Sequence, residues 1–169
     1  MTSKTVIRAL SLPKAKAVLF ALFLAIAIIL PSFIHSQWIT GPIINATLIL
    51  ATFFIGPMEA ILLGLMPSAV ALSTGLLPLP LAPMVPFIMI GNAILVVLVH
   101  YMRNQNYALN LGISALLKFS FLHFSVVFIM PNLLQSEIVS KLAIMMSWPQ
   151  FVTAIIGGFI AYPIIKKLK

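Results

Sequence analysis

The stretch ALNLGISALLKFSFLHFSVVFIM, residues 108–130, is an apolar run with one charged residue, Lys118, near its middle. A helix needs about 20 predominantly apolar residues to cross the hydrocarbon core of a bilayer, and this run is long enough. A lysine at that depth costs about 2.5–3.5 kcal/mol, so something around it must compensate the charge. The run therefore predicts a membrane-spanning helix whose lysine is either functional or held by hydrogen bonds.

Comparable runs fill most of the 169-residue chain. There are six in all, at residues 15–34, 43–55, 58–77, 86–102, 108–130 and, last, from 138 or 148 to 165. Apolar residues make up 62% of the chain and charged residues 7%, which is too little polar surface for a soluble domain. We expect an all-α integral membrane protein with six spans, a single domain over residues 1–169 with short tails at 1–14 and 166–169.

Two of these spans have uncertain starts. Counted from residue 43, the second has only about 13 residues, so it crosses if it is buried among its neighbours or extended through Gly41 and Pro42. For the last, Ser147 resembles an N-cap and Pro149 a first-turn proline. This pattern predicts a separate outer helix over residues 138–146, with one kinked helix as the alternative.

Prolines and glycines predict the connections. Residues 31–42, PSFIHSQWITGP, form the first outer connection, in which Trp38 anchors at the interface or folds over a cavity. Gly56 predicts a tight inner turn with positive φ before a helix that starts at Pro57. Residues 75–86 carry four prolines, which predict an extended, stiff outer cap packed on the bundle.

The charge of the chain is strongly positive, because ten Lys and Arg face two acidic residues for a net charge of +8. Six spans from a cytoplasmic N-terminus place eight of these ten cations on the cytoplasmic side: Lys4, Arg8, Lys14, Lys16, Arg103, Lys166, Lys167 and Lys169. Lys141 falls outside and Lys118 within a span. The positive-inside rule thus predicts cytoplasmic termini and explains the charge without nucleic acid as a partner.

Isolated polar residues within the spans predict where function lies, since each must be hydrogen-bonded or face water. Helix rise places Asn45 near the outer end of the second span and Asn92, His123 and Gln150 also in the outer half. We expect these four side chains to converge on a pocket open to the outside. The alternative for each is a hydrogen bond between helices.

Lys118 belongs to a polar stripe of the fifth span. At helical periodicity one face carries Asn110, Ser114, Lys118, Phe121 and Ser125, so this face points to the interior or to a cavity. His123 is rotated by about 140° and belongs to another wall. Lys118 meets an anionic or carbonyl-bearing ligand, or else snorkels or binds backbone carbonyls. Glu59 lies near the inner face, where Arg103 or a partner subunit is its expected partner.

The first span carries Ala17, Ala21 and Ala25 at four-residue spacing. Small residues at this period let another helix approach closely in lipid. The stripe therefore predicts a helix-packing surface, either for a second protein or for a helix of the same chain.

Catalytic and metal-binding patterns are missing from the sequence. It contains no G-x-S-x-G motif, no paired His and Glu at metal-ligand spacing, no cysteine and only two carboxylates. His35, His100 and His123 fall at different helix ends, which is unlike a metal site. We therefore expect no enzymatic activity, no metal and no cofactor.

Two short motifs resemble a known family. GPIINA at residues 41–46, PMVPFIMIGN at residues 83–92, the six-span layout and the alanine stripe are similar to the substrate-binding S component of energy-coupling factor (ECF) importers. The resemblance covers nearly the whole chain. It implies a subunit of the prokaryotic cell membrane that captures a vitamin or related micronutrient from outside, while a transmembrane coupling subunit and two ATPase subunits drive import.

The resemblance also implies roles for particular residues. Ala17, Ala21 and Ala25 correspond to the surface that contacts the coupling subunit. The ligand is expected toward the outer side, which with the polar positions above gives as substrate-binding candidates Trp38, Asn45, Asn92, Lys118, His123, Trp148 and Gln150. The N-terminal Met and His of the metal-importing relatives are not matched. The alternatives are an assembly subunit without ligand and an autonomous facilitator.

Overall fold

The computed structural model describes residues 13–34, 36–73 and 79–168, and within these ranges all regular secondary structure is helical. The helices run in the order α1 (Pro13–Phe33), α2 (Gln37–Phe54), α3 (Pro57–Ser73), α4 (Val85–Tyr101), α5 (Tyr107–Phe124), α6 (Ser136–Met145) and α7 (Trp148–Leu168). A 3₁₀ segment, Leu79–Met84, precedes α4, while a π-helical turn, Ser125–Ile129, and a short 3₁₀ turn, Met130–Asn132, follow α5.

Within the described ranges, five helical segments are long and apolar enough to cross a membrane. They are Pro13–Leu30, Gln37–Phe54, Leu81–Tyr101, Tyr107–Asn132 and Ser136–Leu168. In α3 the apolar part, Pro57–Val70, is shorter than these. The prediction of a helical membrane protein is confirmed, and each predicted span overlaps at least one helix of the described residues. The count of six spans stays a prediction.

Helix α2 starts earlier than its apolar run. It begins at Gln37 and includes Pro42, so the predicted connection over residues 31–42 is wrong: α1 continues to Phe33 and only residues 34–36 separate the two helices. The physical reason is that unpaired backbone groups are costly in lipid, whereas a proline removes a single helical hydrogen bond. The second half of α2 is also buried, so both conditions for a span are met.

Other predicted connections have mixed outcomes. Gly56 has φ +147° and α3 begins at Pro57, as predicted. Leu79–Met84 is a 3₁₀ helix instead of an extended cap, because the φ of proline also suits a 3₁₀ turn. This segment packs on the bundle as predicted, with Met84 buried. Residues 75–78 of that connection lie outside the described residues.

The last apolar segment is two helices, α6 and α7, which confirms the predicted break before Trp148. Pro149 lies in the first turn of α7, as expected. The hydroxyl of Ser147 donates to the carbonyl of Ile144 at 2.8 Å, so its side chain bonds backward to α6. Of the two partners expected for Glu59, Arg103 is wrong, because these two described side chains form no ion pair, while a partner subunit stays a prediction.

The interior has two apolar clusters. The larger lies toward the end that contains the α2–α3 turn and includes Leu48, Leu63, Leu95 and Leu111. The smaller, which includes Met84 and Leu122, lies toward the opposite end, where the 3₁₀ segment and α6 pack. Between the two clusters the bundle carries a layer of buried polar side chains.

Candidate functional site

Lys118 is the centre of this polar layer. Its ammonium donates a hydrogen bond of 2.6 Å to Oδ1 of Asn45 and one of 2.8 Å to Oδ1 of Asn92. All three side chains are buried, and only 3% of Lys118 is exposed. We call Asn45, Asn92 and Lys118 the buried triad. It joins α2, α4 and α5, and it unites three of the residues that the sequence singled out.

The triad reaches a fourth helix through Asn92. The amide nitrogen of Asn92 donates to the backbone carbonyl of Gly64 in α3 at 2.9 Å. A Cβ at Gly64 would lie 3.0 Å from Cβ of Asn92, so glycine lets the two helices approach closely at this point. Sequence reasoning missed this backbone acceptor. Its only signal was a glycine within an apolar helix, which is too common to identify a partner.

Asn45 lies deeper than the sequence suggested. Because α2 begins at Gln37, Asn45 is about 12 Å from that helix end at 1.5 Å per residue, instead of near it. This depth brings its oxygen level with Lys118. The other helix that packs closely here is α7, where a Cβ at Gly157 would lie 2.7 Å from Cβ of Asn45.

The positive charge of Lys118 has no carboxylate partner among the described residues. The chain has two acidic residues, and Glu137 is exposed and pairs with Lys141 at 3.3 Å. Glu59 lies in the first turn of α3, about 8 Å along the helix axis from Gly64, and forms no ion pair with a described residue. Lys118 therefore meets two neutral amide oxygens, and the third N–H of its ammonium has no acceptor among the described residues.

The rest of the α5 stripe faces the interior, as predicted, and serves the helices themselves. Asn110, Ser114 and Ser125 are buried. Ser114 donates to Oδ1 of Asn110 at 3.0 Å, and the amide of Asn110 donates to the carbonyl of Val99 at 3.0 Å. Ser125 donates back to the carbonyl of Phe121. Lys118 is thus the member of the stripe with hydrogen bonds to side chains of other helices.

A second group of candidates lies at the outer end predicted for α2 and α7. The rings of Trp38 and Trp148 are 5.2 Å apart, and both side chains remain partly exposed. Gln37 donates to the carbonyl of Met145 at 2.8 Å, while Gln150 is 3.4 Å from the same carbonyl. We call this the tryptophan cluster. Asn45 is seven positions after Trp38 in α2, which is about 10 Å along the helix axis.

His123 belongs to neither group, which agrees with its predicted rotation away from the α5 stripe. Its ring stacks on Phe119 with centroids 5.7 Å apart, and Phe119 also contacts Phe151 of α7. Nδ1 of His123 is buried and has no hydrogen-bond partner in the part of the chain that the structure describes. The four polar side chains predicted to converge therefore lie in three places. Asn45 and Asn92 meet in the triad, Gln150 lies in the tryptophan cluster, and His123 packs against Phe119.

The alanine stripe of α1 lies mainly on the outside of the bundle. Ala17 and Ala21 are exposed, and Ala25 is partly buried. Between and beside them, Val18 is 68% exposed and Leu22 is 53% exposed. This side of α1 is an apolar surface with small residues at its centre, which is suited to close contact with another helix in lipid.

Comparison with protein families identifies one that covers nearly the entire chain. The profile of the ECF transporter substrate-specific component matches residues 15–168. Comparison with curated proteins and with solved structures gives no match. The matched region contains the buried triad, the tryptophan cluster and the alanine stripe. The chain belongs to the family of substrate-specific components of ECF transporters.

Proposed function

We propose that the protein is the substrate-binding subunit of an ECF importer and that Lys118 binds an anionic or strongly polarised oxygen of a small organic substrate. The observation that carries this proposal is a buried ammonium held by neutral amides alone. Vitamins and related micronutrients with a carboxylate, phosphate or ring carbonyl fit this requirement.

The energetics favour a ligand with negative charge. A lysine near the bilayer centre costs about 2.5–3.5 kcal/mol, and side-chain hydrogen bonds between membrane helices recover about 0.6 kcal/mol each on average, or about twice that when the donor is charged. Two such bonds leave part of the cost in place. An anion at the third N–H of Lys118 interacts with the full charge of the ammonium at short range. The substrate-bound protein is therefore more stable than the empty protein.

The proposed orientation has six spans with both termini in the cytoplasm. It rests on the placement of Arg103, Lys166 and Lys167 at the end of the bundle opposite the tryptophan cluster. In this orientation Trp38 and Trp148 lie between the outside and the buried triad. Their partly exposed rings then form a cover that the substrate passes, and aromatic faces suit a flat ring system.

The coupling role is assigned to α1. In ECF importers a transmembrane coupling subunit with two ATPases supplies the driving force, and a stripe of small residues permits its close approach. Ala17 and Ala21 are exposed in the isolated chain, which supports this role. On this proposal the chain itself captures substrate and hydrolyses nothing.

Native mass spectrometry of the protein purified from cells grown in rich medium tests substrate binding. We expect a co-purified small molecule on the wild type that is lost from Lys118→Met and from Asn92→Ala. The matched control is Lys141→Met, because Lys141 is an exposed lysine paired with Glu137 on α6. An empty wild type that also gains no thermal stability from a panel of vitamins contradicts the proposal.

An assembly subunit without ligand is the second candidate, because the triad and Gly64 together link four helices and stabilise the bundle in their own right. In that case Asn92→Ala and Lys118→Met reduce thermal stability and change nothing else. Retained uptake in the absence of a coupling partner would instead indicate a facilitator.

Uptake with the coupling module distinguishes these candidates further. Ala21→Leu is expected to abolish uptake while leaving ligand occupancy intact, because the larger side chain separates the two helices. Ala21→Ser keeps the small volume and serves as its control. Uptake by Ala21→Leu at the wild-type rate contradicts coupling through this surface.

A further inference from the structure

A basic cavity lies at the opposite end of the bundle from the tryptophan cluster. It has a volume of about 200 Å³ and is lined by Arg103 and Gln105 from the α4–α5 connection, Tyr107 from α5, and Tyr162 and Lys166 from α7, among others. Both cations are exposed, and the lining contains no carboxylate. The cavity thus presents two positive charges from different segments of the chain, and neither has an ion-pair partner among the described residues.

An apolar groove continues from this cavity along the side of the bundle. The groove has a volume of about 400 Å³, and its lining includes Leu111 of α5 and Ile155 and Phe159 of α7. Tyr107 and Tyr162 line both the cavity and the groove, so the two spaces are adjacent. Phe159 is 69% exposed, which places the groove on the surface that faces the lipid.

The order of these groups along α7 matches the order of groups in a phospholipid. Lys166 is one turn beyond Tyr162, and Phe159 and Ile155 follow in the other direction, which spans about 16 Å from Lys166 to Ile155. Charge, then aromatic hydroxyl, then apolar surface corresponds to phosphate, glycerol and acyl chain. The hydroxyl of Tyr107 donates to the carbonyl of Gly158 at 2.8 Å, which ties α5 to α7 beneath the groove.

We infer that this cavity and groove bind one anionic phospholipid, with its headgroup between Arg103 and Lys166 and an acyl chain along Leu111 and Phe159. Basic pockets between membrane helices recognise anionic headgroups through this combination of charge and apolar contact. The site is separate from the buried triad, and its occupancy does not depend on the transported substrate.

Lipid titration followed by native mass spectrometry tests the inference. The full-length protein, delipidated in detergent, receives phosphatidylglycerol or, in parallel, phosphatidylcholine with the same acyl chains. We expect one phosphatidylglycerol to bind the wild type in preference to phosphatidylcholine. Each of Arg103→Gln and Lys166→Gln is expected to weaken it about fivefold, since one cation near the membrane surface contributes about that factor.

Lys167→Gln is the matched control, because it removes one exposed charge next to Lys166 without touching the cavity lining. Equal binding of both lipids, or an equal loss in the Lys167 variant, overturns the inference. If inorganic phosphate stabilises the protein to the same extent as phosphatidylglycerol, the cavity binds a free anion and the inference is overturned. A third outcome overturns the inference as well: Arg103→Gln and Lys166→Gln bind the lipid as the wild type does but no longer bind the coupling subunit. The two cations then serve a protein partner.

Discussion

Asn45→Asp is the substitution that separates the proposed substrate site most sharply from a structural hydrogen bond. The side chain keeps its size, and Oδ1 of residue 45 remains 2.6 Å from the ammonium of Lys118. The change supplies the carboxylate that the triad lacks. We expect the variant to fold and to lose its ability to hold an anionic substrate, because an internal anion now compensates the lysine.

The magnitudes follow from the geometry. Two unit charges 2.6 Å apart attract by about 6 kcal/mol at an effective dielectric constant of 20, and burial of the new carboxylate costs several kcal/mol. The two terms nearly cancel, so the stability of the empty protein changes by about 2 kcal/mol or less. The new carboxylate repels a substrate anion about 4 Å away from it by up to about 4 kcal/mol at the same dielectric constant, which corresponds to at least a hundredfold weaker binding after partial screening.

The assay is the fraction of protein that carries a co-purified small molecule by native mass spectrometry, with thermal unfolding of the emptied protein measured in parallel. Asn104→Asp is the control, since it makes the same change in net charge at an exposed position in the α4–α5 connection. Wild-type occupancy in Asn45→Asp refutes the reasoning that Lys118 binds the substrate through its charge.

Two further predictions concern the packing around the site. Gly157→Ala should lower the free energy of unfolding by about 1–3 kcal/mol, because the new Cβ lies 2.7 and 2.8 Å from backbone atoms of α2. Gly112→Ala should raise the free energy of unfolding by up to about 1 kcal/mol, because its Cβ has no described atom within 4 Å and alanine favours the helix. Tyr107→Phe should lower the free energy of unfolding by about 1 kcal/mol through loss of its hydrogen bond to Gly158. Denaturation in detergent measures all three variants. Equal stability of the two glycine variants would contradict the packing described.

Helical periodicity was sufficient for part of the site. It placed Asn110, Ser114 and Lys118 on one interior face of α5, and the structure buries all three. It also separated His123 from that face. These predictions succeed because the relative angle of side chains on one helix depends only on the helix geometry.

The partners of Lys118 could not be predicted in the same way. Contacts between helices depend on where each helix begins and how it is rotated, and the apolar faces of membrane helices give little information on either. Taking α2 to begin at residue 43 raised Asn45 toward the surface, and the true start at Gln37 lowers it to the level of Lys118. The carbonyl of Gly64 has no side-chain signal at all.

The boundary between α6 and α7 was predictable because proline, which lacks a backbone N–H, is favoured in the first turn of a helix, and Pro149 lies there in α7. The 3₁₀ form of Leu79–Met84 was not, since proline at its usual φ suits both an extended chain and a 3₁₀ turn. There the packing of Met84 against the bundle decides the conformation.

A structure of the protein with its co-purified small molecule tests the central claim most directly. The account predicts a ligand oxygen about 2.7–2.9 Å from Nζ of Lys118, the distance of a charge-assisted hydrogen bond, with Trp38 and Trp148 on the side from which the ligand enters. A ligand bound elsewhere, with the ammonium still held by Asn45 and Asn92 alone, would contradict it.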